Sequence, residues 1–556
     1  MASGTSGTPQ TQASDDNIVR LAEPAVTTVP DTPVAPAAEA PSAAAMQPSH
    51  EVEVELKLGV DPLLLARFER LEIWRELMAA PSRQLVSVYY DTPDGALAAR
   101  GYRLRVRNKD SGFEQTLKQS GKATGLFTRG EWTCRQTGDQ PDIAALGDVP
   151  LPEHLRHLRG DDLVVICRID VDRKTTMLEL PDGGSAELVL DIGQAMTDDS
   201  IVPLAEVELE LKAGPPEQLF AVAQQLNAIA PVRLQTRSKP EQVLERQSDG
   251  GAVWHKAGNL KLAATQSVDD VLEAIFASAL AHLLANERCA RERLHIEGVH
   301  QMRVAVRRLR SALRLFRPLL PAEARERLDG ELQWLASSLG PARDMDVFHS
   351  ELLDGAATAI EDDAAFSALE RQAVELQDEA YAAVAAALGS SRYSGLILEL
   401  LRWRVLRAWR IQALDANSAR LFQPIGDLAG ELLGQAHRRA RKRGRGFARL
   451  PVDERHRVRI AVKKLRYTVE FFDDLYGGPA QAHYLKRLMR LQDDLGHLND
   501  VATAERLLGA VLGPRPPAAL ARAAGCILGW HRRGLHDDEG RLVRDWRRFA
   551  RARPFW

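Results

Sequence analysis

Glu51-Val-Glu-Val-Glu-Leu-Lys57 sets acids and one base on the odd positions and aliphatics on the even ones. Strand side chains alternate faces, so Glu51, Glu53, Glu55 and Lys57 share one side and Val52, Val54 and Leu56 the other. In-line carboxylates repel one another, so a solvated strand gains little from this order. Taken alone, the stretch still fits the exposed face of an edge strand, because charges usually point at water.

Glu206-Val-Glu-Leu-Glu-Leu-Lys212 repeats the pattern about 155 residues later. Arg103-Leu-Arg-Val-Arg107, Thr116-Leu-Lys118 and Arg129-Gly-Glu131 carry the opposite charge in the same alternation, and Glu187-Leu-Val-Leu-Asp191 adds two acids. Charged faces on so many strands make physical sense if they line a wet interior while the aliphatic faces pack outward under helices. The predicted architecture is α+β. An N-terminal closed antiparallel β-barrel with outer helices is followed by an all-α, duplicated helical bundle.

These residues resemble the CYTH, or triphosphate tunnel metalloenzyme, family. Glu53-x-Glu55-x-Lys57 is similar to its ExExK signature, and Tyr90-Asp-Thr-Pro93, Leu104-Arg-Val-Arg107, Thr116-Leu-Lys118 and Arg129-x-Glu131 follow in the family's order over roughly 49–245. The resemblance implies hydrolysis of inorganic triphosphate with Mg²⁺ or Mn²⁺. It assigns metal to Glu53 and Glu55 on one wall and Asp191, Glu206 and Glu208 opposite. It assigns phosphate to Lys57, Arg105, Arg107, Lys118, Arg129, Arg173 and Lys239, with Lys57, Glu53 and Glu55 as catalytic residues. Glu131 and Glu187 face inward by parity without an assigned role. Strands are expected near 164–169 and 175–180. Arg173 lies between them on a parity different from Arg168, which predicts a bulge or bend. The chemistry is coherent: guanidinium forks grip phosphate oxygens, and carboxylates offset the cations' repulsion and offer a divalent ion hard oxygen ligands.

Charge divides the 556 residues. Residues 1–250 hold 25 Lys+Arg against 38 Asp+Glu, a net −13, and 251–556 hold 48 against 38, a net +10. Two halves of opposite sign suggest different tasks. Cys134, Cys167, Cys289 and Cys526 are isolated, which predicts neither a disulfide framework nor a zinc site. Residues 1–48, rich in Ala, Pro, Thr and Ser, read as a disordered tail without signal-peptide features. No apolar run approaches the roughly 18 residues of a membrane span. A cytoplasmic protein, associated with polyphosphate granules, is expected. The tunnel domain is placed at 49–246, a linker at 247–266 and the helical domain at 267–550, with units near 270–390 and 420–550.

The basic half contains an internal repeat. His300-Gln-Met-Arg-Val-Ala-Val-Arg-Arg-Leu-Arg310 matches His456-Arg-Val-Arg-Ile-Ala-Val-Lys-Lys-Leu-Arg466, and Leu339-Gly-Pro-Ala-Arg-Asp344 matches Leu495-Gly-His-Leu-Asn-Asp500, both at an offset of 156. On a helical wheel His300, Arg303, Arg307, Arg310 and Arg314 form one stripe, and His456, Arg459, Lys463 and Arg466 another. Solvated helix faces usually mix signs, so two like-charged stripes ask for a polyanion. The region resembles a CHAD domain, which implies binding of inorganic polyphosphate. Arg402, Arg404, Arg407, Arg410 and the run His437-Arg-Arg-Ala-Arg-Lys-Arg443 either widen that surface or are solvated charge. Nucleic acid is disfavoured, because Trp334, Trp403 and Trp409 do not interleave the stripes and no DNA-binding signature is present. Alternative functions are a class IV-type adenylate cyclase, a thiamine triphosphatase, or a non-catalytic polyphosphate receptor. Oligomeric state is not legible.

Overall fold

The computed structural model describes residues 49–109, 112–119, 126–247, 254–353, 364–411 and 418–556. The expected tail at 1–48 lies outside the described residues, as do 248–253 of the expected linker. The chain divides into two units, 1–247 and 248–556.

The first unit is an antiparallel sheet with helices. Its strands are β1 (Ser49–Gly59), β2 (Arg83–Asp91), β3 (Tyr102–Lys109), β4 (Gly112–Gln119), β5 (Leu126–Gln136), β6 (Val164–Leu180), β7 (Gly184–Met196), β8 (Ile201–Ala213) and β9 (Arg233–Leu234). They run in the order β5-β4-β3-β2-β6-β7-β8-β1-β9, and β5 also pairs with β1. Its longer α-helices are α1 (Glu72–Ala79), α2 (Glu217–Ile229) and α3 (Lys239–Gln247). The aliphatic faces are covered as the alternation demands. Leu56, Leu58, Leu188, Leu190, Val207 and Leu209 are buried, and α2 buries Leu219, Val222 and Leu226. Tyr102, Leu104, Leu117 and Trp132 form a second core with Ile143, Leu146, Val149 and Leu151 of the β5–β6 connection.

Two expectations are corrected. The strands anticipated at 164–169 and 175–180 are one continuous strand, β6, and Arg173 lies inside it. Its parity with Arg168 needs no bend, because Arg168 faces out and pairs with Asp170 at 3.0 Å. The pairing shifts instead at Tyr89/Tyr90, where β2 passes from Cys167 to Val165. Nor is the charged face charged throughout. Cys167, Ile169 and Val171 share Arg173's face of β6, Ala195 shares Asp191's face of β7, and Val202 and Leu204 share the Glu206 face of β8. Together these six residues form a buried cluster completed by Val243 of α3. Charged and apolar layers therefore succeed one another on a single face. At Gly193, between the two layers on β7, a Cβ would stand 2.0 Å from the Asp170 carbonyl oxygen, so glycine is what lets β6 and β7 approach there.

The second unit is helical: α4 (Val268–Ala285), α5 (Ile296–Leu315), α6 (Ala322–Ser338), α7 (Gly340–Val347), α8 (Ala364–Leu388), α9 (Ser391–Val405), α10 (Ile425–Arg443), α11 (Val452–Phe471), α12 (Pro479–Leu512) and α13 (Ala518–Ala550). Helices α5 and α11 keep the 156-residue offset at both ends. The copies differ in one instructive place. Pro341 cannot donate a helical hydrogen bond, so the chain breaks there into α6 and α7. His497 holds the equivalent position, and α12 runs through unbroken.

Candidate functional site

Strand register builds the first cluster. Lys57 on β1 lies opposite Glu208 on β8, Glu206 opposite Asp191 on β7, and Asp191 opposite Arg173 on β6. The side chains meet as this predicts. Lys57 Nζ lies 2.6 Å from Glu208 and 3.0 Å from Glu55. Arg173 donates to Asp191 through Nε at 2.7 Å and Nη2 at 2.6 Å, and Nη2 also reaches Glu208 at 3.0 Å. Lys239 enters from the first turn of α3, whose start is held by Ser238, donating through its backbone N–H (2.8 Å) and Oγ (2.9 Å) to Glu241. The Lys239 ammonium lies 2.9 Å from Asp191, 2.6 Å from Glu206 and 2.7 Å from Glu208.

The second cluster lies on β2–β5. Arg105 donates to Thr116 at 3.0 Å, Arg107 to Ser87 Oγ at 2.9 Å, and Lys118 pairs with Glu131 at 2.7 Å. Arg103 pairs with Glu241 of α3 at 3.1 Å. Both clusters border one cavity of about 240 Å³, whose lining includes Glu55, Lys57, Arg105, Arg107, Lys118, Arg173, Glu208 and Lys239. Asp191 and Glu206 stand behind that lining in contact with Lys239. Side chains of Glu53 and Arg129 lie outside the described residues; their backbones pair across β1 and β5. Sequence reasoning missed Tyr89, Glu114, Glu210 and Ser238, which also line the cavity. The first three sit on the charged-face parity of β2, β4 and β8, so alternation carried that signal.

Electrostatics divide the two clusters. Burial pulls Lys57 down, but Glu208 and Glu55 outweigh it and raise its pKa. Lys239 likewise is lowered by burial and raised far more by Asp191, Glu206 and Glu208. Glu208 is pushed up by burial yet held well below the carboxylate range by Lys239, Lys57 and Arg173. Arg107 behaves in the opposite way. Burial and then neighbouring Arg105 and Arg173 bring it down to about 10. Among the described residues no carboxylate stands within ion-pairing distance of Arg107. Arg107 is thus a buried cation held beside two others.

In the helical unit, α5 and α11 bring their stripes to one cavity of about 400 Å³. His300, Arg303 and Arg307 line it from α5, and Arg459, Lys463 and Arg466 from α11. Arg310 and His456 do not line it: Arg310 pairs with Asp329 at 2.7 Å, and His456 is exposed. Arg343 of α7 joins the lining, a contribution no stripe announced. Burial, Arg343, Arg307 and Arg303 lower the His300 pKa to about 4 against the opposing Glu297, so its ring is neutral at pH 7. Arg404 pairs with Glu273, and Arg407 and Arg410 pair with Asp269. Each of the three therefore has an acid partner within the helical unit.

The CYTH domain family matches residues 51–243, and the CHAD domain family matches 274–509. A CYTH domain and a CHAD domain are both present. An inorganic triphosphatase of Haemophilus influenzae is 28% identical over 173 residues, covering 30% of this chain. The chain spans about half (47%) of that relative's length. Among solved structures, the CHAD domain from the plant Ricinus communis is 29% identical, with 55% of this chain and 99% of that chain covered and a TM-score of 0.46. A putative adenylyl cyclase from Hippeastrum, described as having a dominant triphosphatase activity, is 16% identical over 35% of this chain and 96% of that chain, at a TM-score of 0.25. In the terms of these families, the 240 Å³ cavity belongs to the CYTH domain and the 400 Å³ cavity to the CHAD domain. Among the described residues no helix is long and apolar enough to cross a membrane.

Proposed function

We propose that the CYTH domain hydrolyses inorganic triphosphate to pyrophosphate and phosphate with a divalent ion, and that the CHAD domain binds long-chain polyphosphate. The observation that carries the first part is the side-by-side placement of Lys57, Arg105, Arg107, Lys118 and Arg173 with Glu55 and Glu208 around one small cavity. The sheet is read as a closed tunnel because β1 pairs with β8 along Glu55–Gly59 and with β5 along Ser49–Leu56. The apolar layer beneath α3 then stops one end, so substrate enters from the charged side.

Asp191, Glu206 and Glu208 already converge on a single cation, the Lys239 ammonium. Hard carboxylate oxygens around one point suit Mg²⁺ or Mn²⁺. No described group of three acids, histidines or cysteines is spread as a ligand sphere, so binding an ion here requires Lys239 to yield its place. Glu55, Asp191, Glu206 and Glu208 would hold the ion, with Glu53 completing the signature. When bound it would neutralise charge on the phosphoryl group and lower the pKa of water. The chain's own cations do the rest. Arg105, Arg107 and Lys118 hold non-bridging oxygens, and Lys57 and Arg173 stand where charge develops as water bonds to the terminal phosphorus and the bridging oxygen leaves with pyrophosphate.

The polyphosphate reading rests on the six-cation cavity between α5 and α11. The test of the catalytic part is the Glu55→Ala, Glu206→Ala double variant, assayed for turnover and for triphosphate binding. Lost turnover with retained binding supports an enzyme. Undiminished turnover refutes it, and a wild type that binds without turning over leaves a receptor.

A further inference from the structure

A second cleft lies on another face of α11, and it gathers Arg314 of the α5 stripe with cations of the 437–443 run away from the α5–α11 cavity. It has a volume of about 770 Å³ and is bounded by the C-terminal turns of α5, by α10 and by α11. Its rim is cationic: Arg314, Arg439, Lys442, Arg443, Arg457 and Lys464 line it. Two of these are matched, Arg314 by Asp329 at 3.3 Å and Arg457 by Glu454 at 2.5 Å. Arg439, Lys442, Arg443 and Lys464 have no carboxylate within ion-pairing distance among the described residues. Its floor is apolar, formed by Leu315, Ala436, Ile460 and Ala461, with Ile460 39% exposed.

The two copies of the repeat differ at this cleft. Positions 457, 461 and 464 of α11 correspond, at the offset of 156, to Gln301, Ala305 and Arg308 of α5. Those three are 7%, 0% and 6% exposed, so the first copy closes the equivalent face. In the second copy the face stays open and places Arg457, Ile460 and Lys464 toward solvent. Lys464 feels the result: burial and then Arg314, Arg439 and Arg443 lower its pKa, and no acid opposes them.

We propose that this cleft binds a nucleoside polyphosphate, its phosphates on the α10–α11 cations and its nucleoside on the Leu315–Ile460 floor. Four unmatched cations call for a multiply charged anion, which excludes a singly charged lipid headgroup as the best fit. Inorganic triphosphate supplies the charge but has no body for the apolar floor, and 770 Å³ far exceeds its need. A planar base fits such a floor and stacks on guanidinium faces. The site is separate from the α5–α11 polyphosphate cavity, which takes another face of α11, and it does not depend on the tunnel's activity.

Photolabelling of the full chain with 8-azido-ATP, followed by mass mapping, tests this. Label is expected in peptides covering 436–468, with ATP competing about tenfold better than inorganic triphosphate at equal concentration. Ile460→Asp, a change at an exposed side chain, should cut that labelling while triphosphate hydrolysis is unchanged. Arg439→Glu with Arg443→Glu should abolish it. Label confined to other peptides overturns the proposal. So does equal competition by triphosphate or by long-chain polyphosphate, which would make the cleft a plain polyanion surface. If a variant fails to fold, the mapped label and competition on the wild type still decide.

Discussion

The Lys239 ammonium lies 2.6 Å from a carboxylate oxygen of Glu206, joining the first turn of α3 to the middle of β8. Asp191 and Glu208 share the same ammonium. All four side chains are nearly enclosed, so removing the cation leaves acids in low dielectric with less compensation. Lys239→Met should therefore cost about 3 kcal/mol in the absence of divalent ions. Mg²⁺ or Mn²⁺ should restore more stability to this variant than to the wild type, because the vacated position is then the ion's. Thermal melts of both proteins with and without metal check this. Equal metal response in the two would break the link between Lys239 and the ion's place.

Arg107 predicts the reverse trade. It is a buried cation whose neighbours are Arg105 and Arg173 and whose described hydrogen-bond partner is Ser87. Arg107→Met should leave the unliganded fold as stable or more stable, while raising KM for triphosphate about tenfold or more. Lys57→Met is the control, since it removes a cation that both Glu208 and Glu55 contact and should destabilise. Paired melts and steady-state kinetics separate the two behaviours.

What the sequence discloses and what it hides follow from one property of strands. A period of two assigns a face, so Lys57, Arg105, Asp191 and Glu208 were readable as neighbours of one another. It says nothing of depth along that face. Ile169 and Arg173 share a parity, yet one lies in an apolar plug and the other among carboxylates. The plug is completed by Val243, with Leu244 packed beside it, in the short, mostly polar α3, and no pattern marks that helix as reaching a strand face. In the helical unit the repeat announced α5 and α11 and their offset of 156, though not where either helix ends. Arg343 escaped notice because its arrival beside His300 depends on how α7 turns after Pro341. Arg310 and His456 lie off the cavity for a related reason: a wheel gives azimuth, and only the neighbouring helices decide which cations face it.

Under the proposed polyphosphate reading, His300 should link binding to pH. Its free-state pKa is about 4, set by burial and by Arg343, Arg307 and Arg303 against Glu297. A polyanion in that cavity offsets the arginines and raises the pKa, so the bound state takes up a proton over the interval between the two values. Affinity should rise as pH falls from 7 toward 5, and the slope should shrink in His300→Gln. Titrations of long-chain polyphosphate binding at fixed salt across that range check the sign. Affinity falling with pH in the wild type contradicts it.

Division of labour between the two domains is testable by salt. Long chains on the α5–α11 cations release counterions, so their affinity should fall with a log–log slope of roughly −0.7 to −0.9 per phosphate neutralised, by analogy with nucleic acids. Triphosphate in the enclosed CYTH cavity should be less salt-sensitive, because buried charges are screened less. Charge reversal of Arg303, Arg307, Arg459 and Lys463 to Glu should abolish long-chain retention and leave triphosphate turnover near wild type. Measured on one variant, loss of turnover with retained long-chain binding would exchange the two assignments.

The central claim is hydrolysis of triphosphate at the Lys57–Glu208 cluster, and the direct measurement is phosphate release by the folded full chain. Triphosphate, ATP and thiamine triphosphate are supplied side by side with Mg²⁺, with Mn²⁺ and with chelator. The account predicts release from inorganic triphosphate in excess of the other two, present with either metal and lost with chelator. No release from triphosphate under either metal, by protein whose fold is verified, would contradict it.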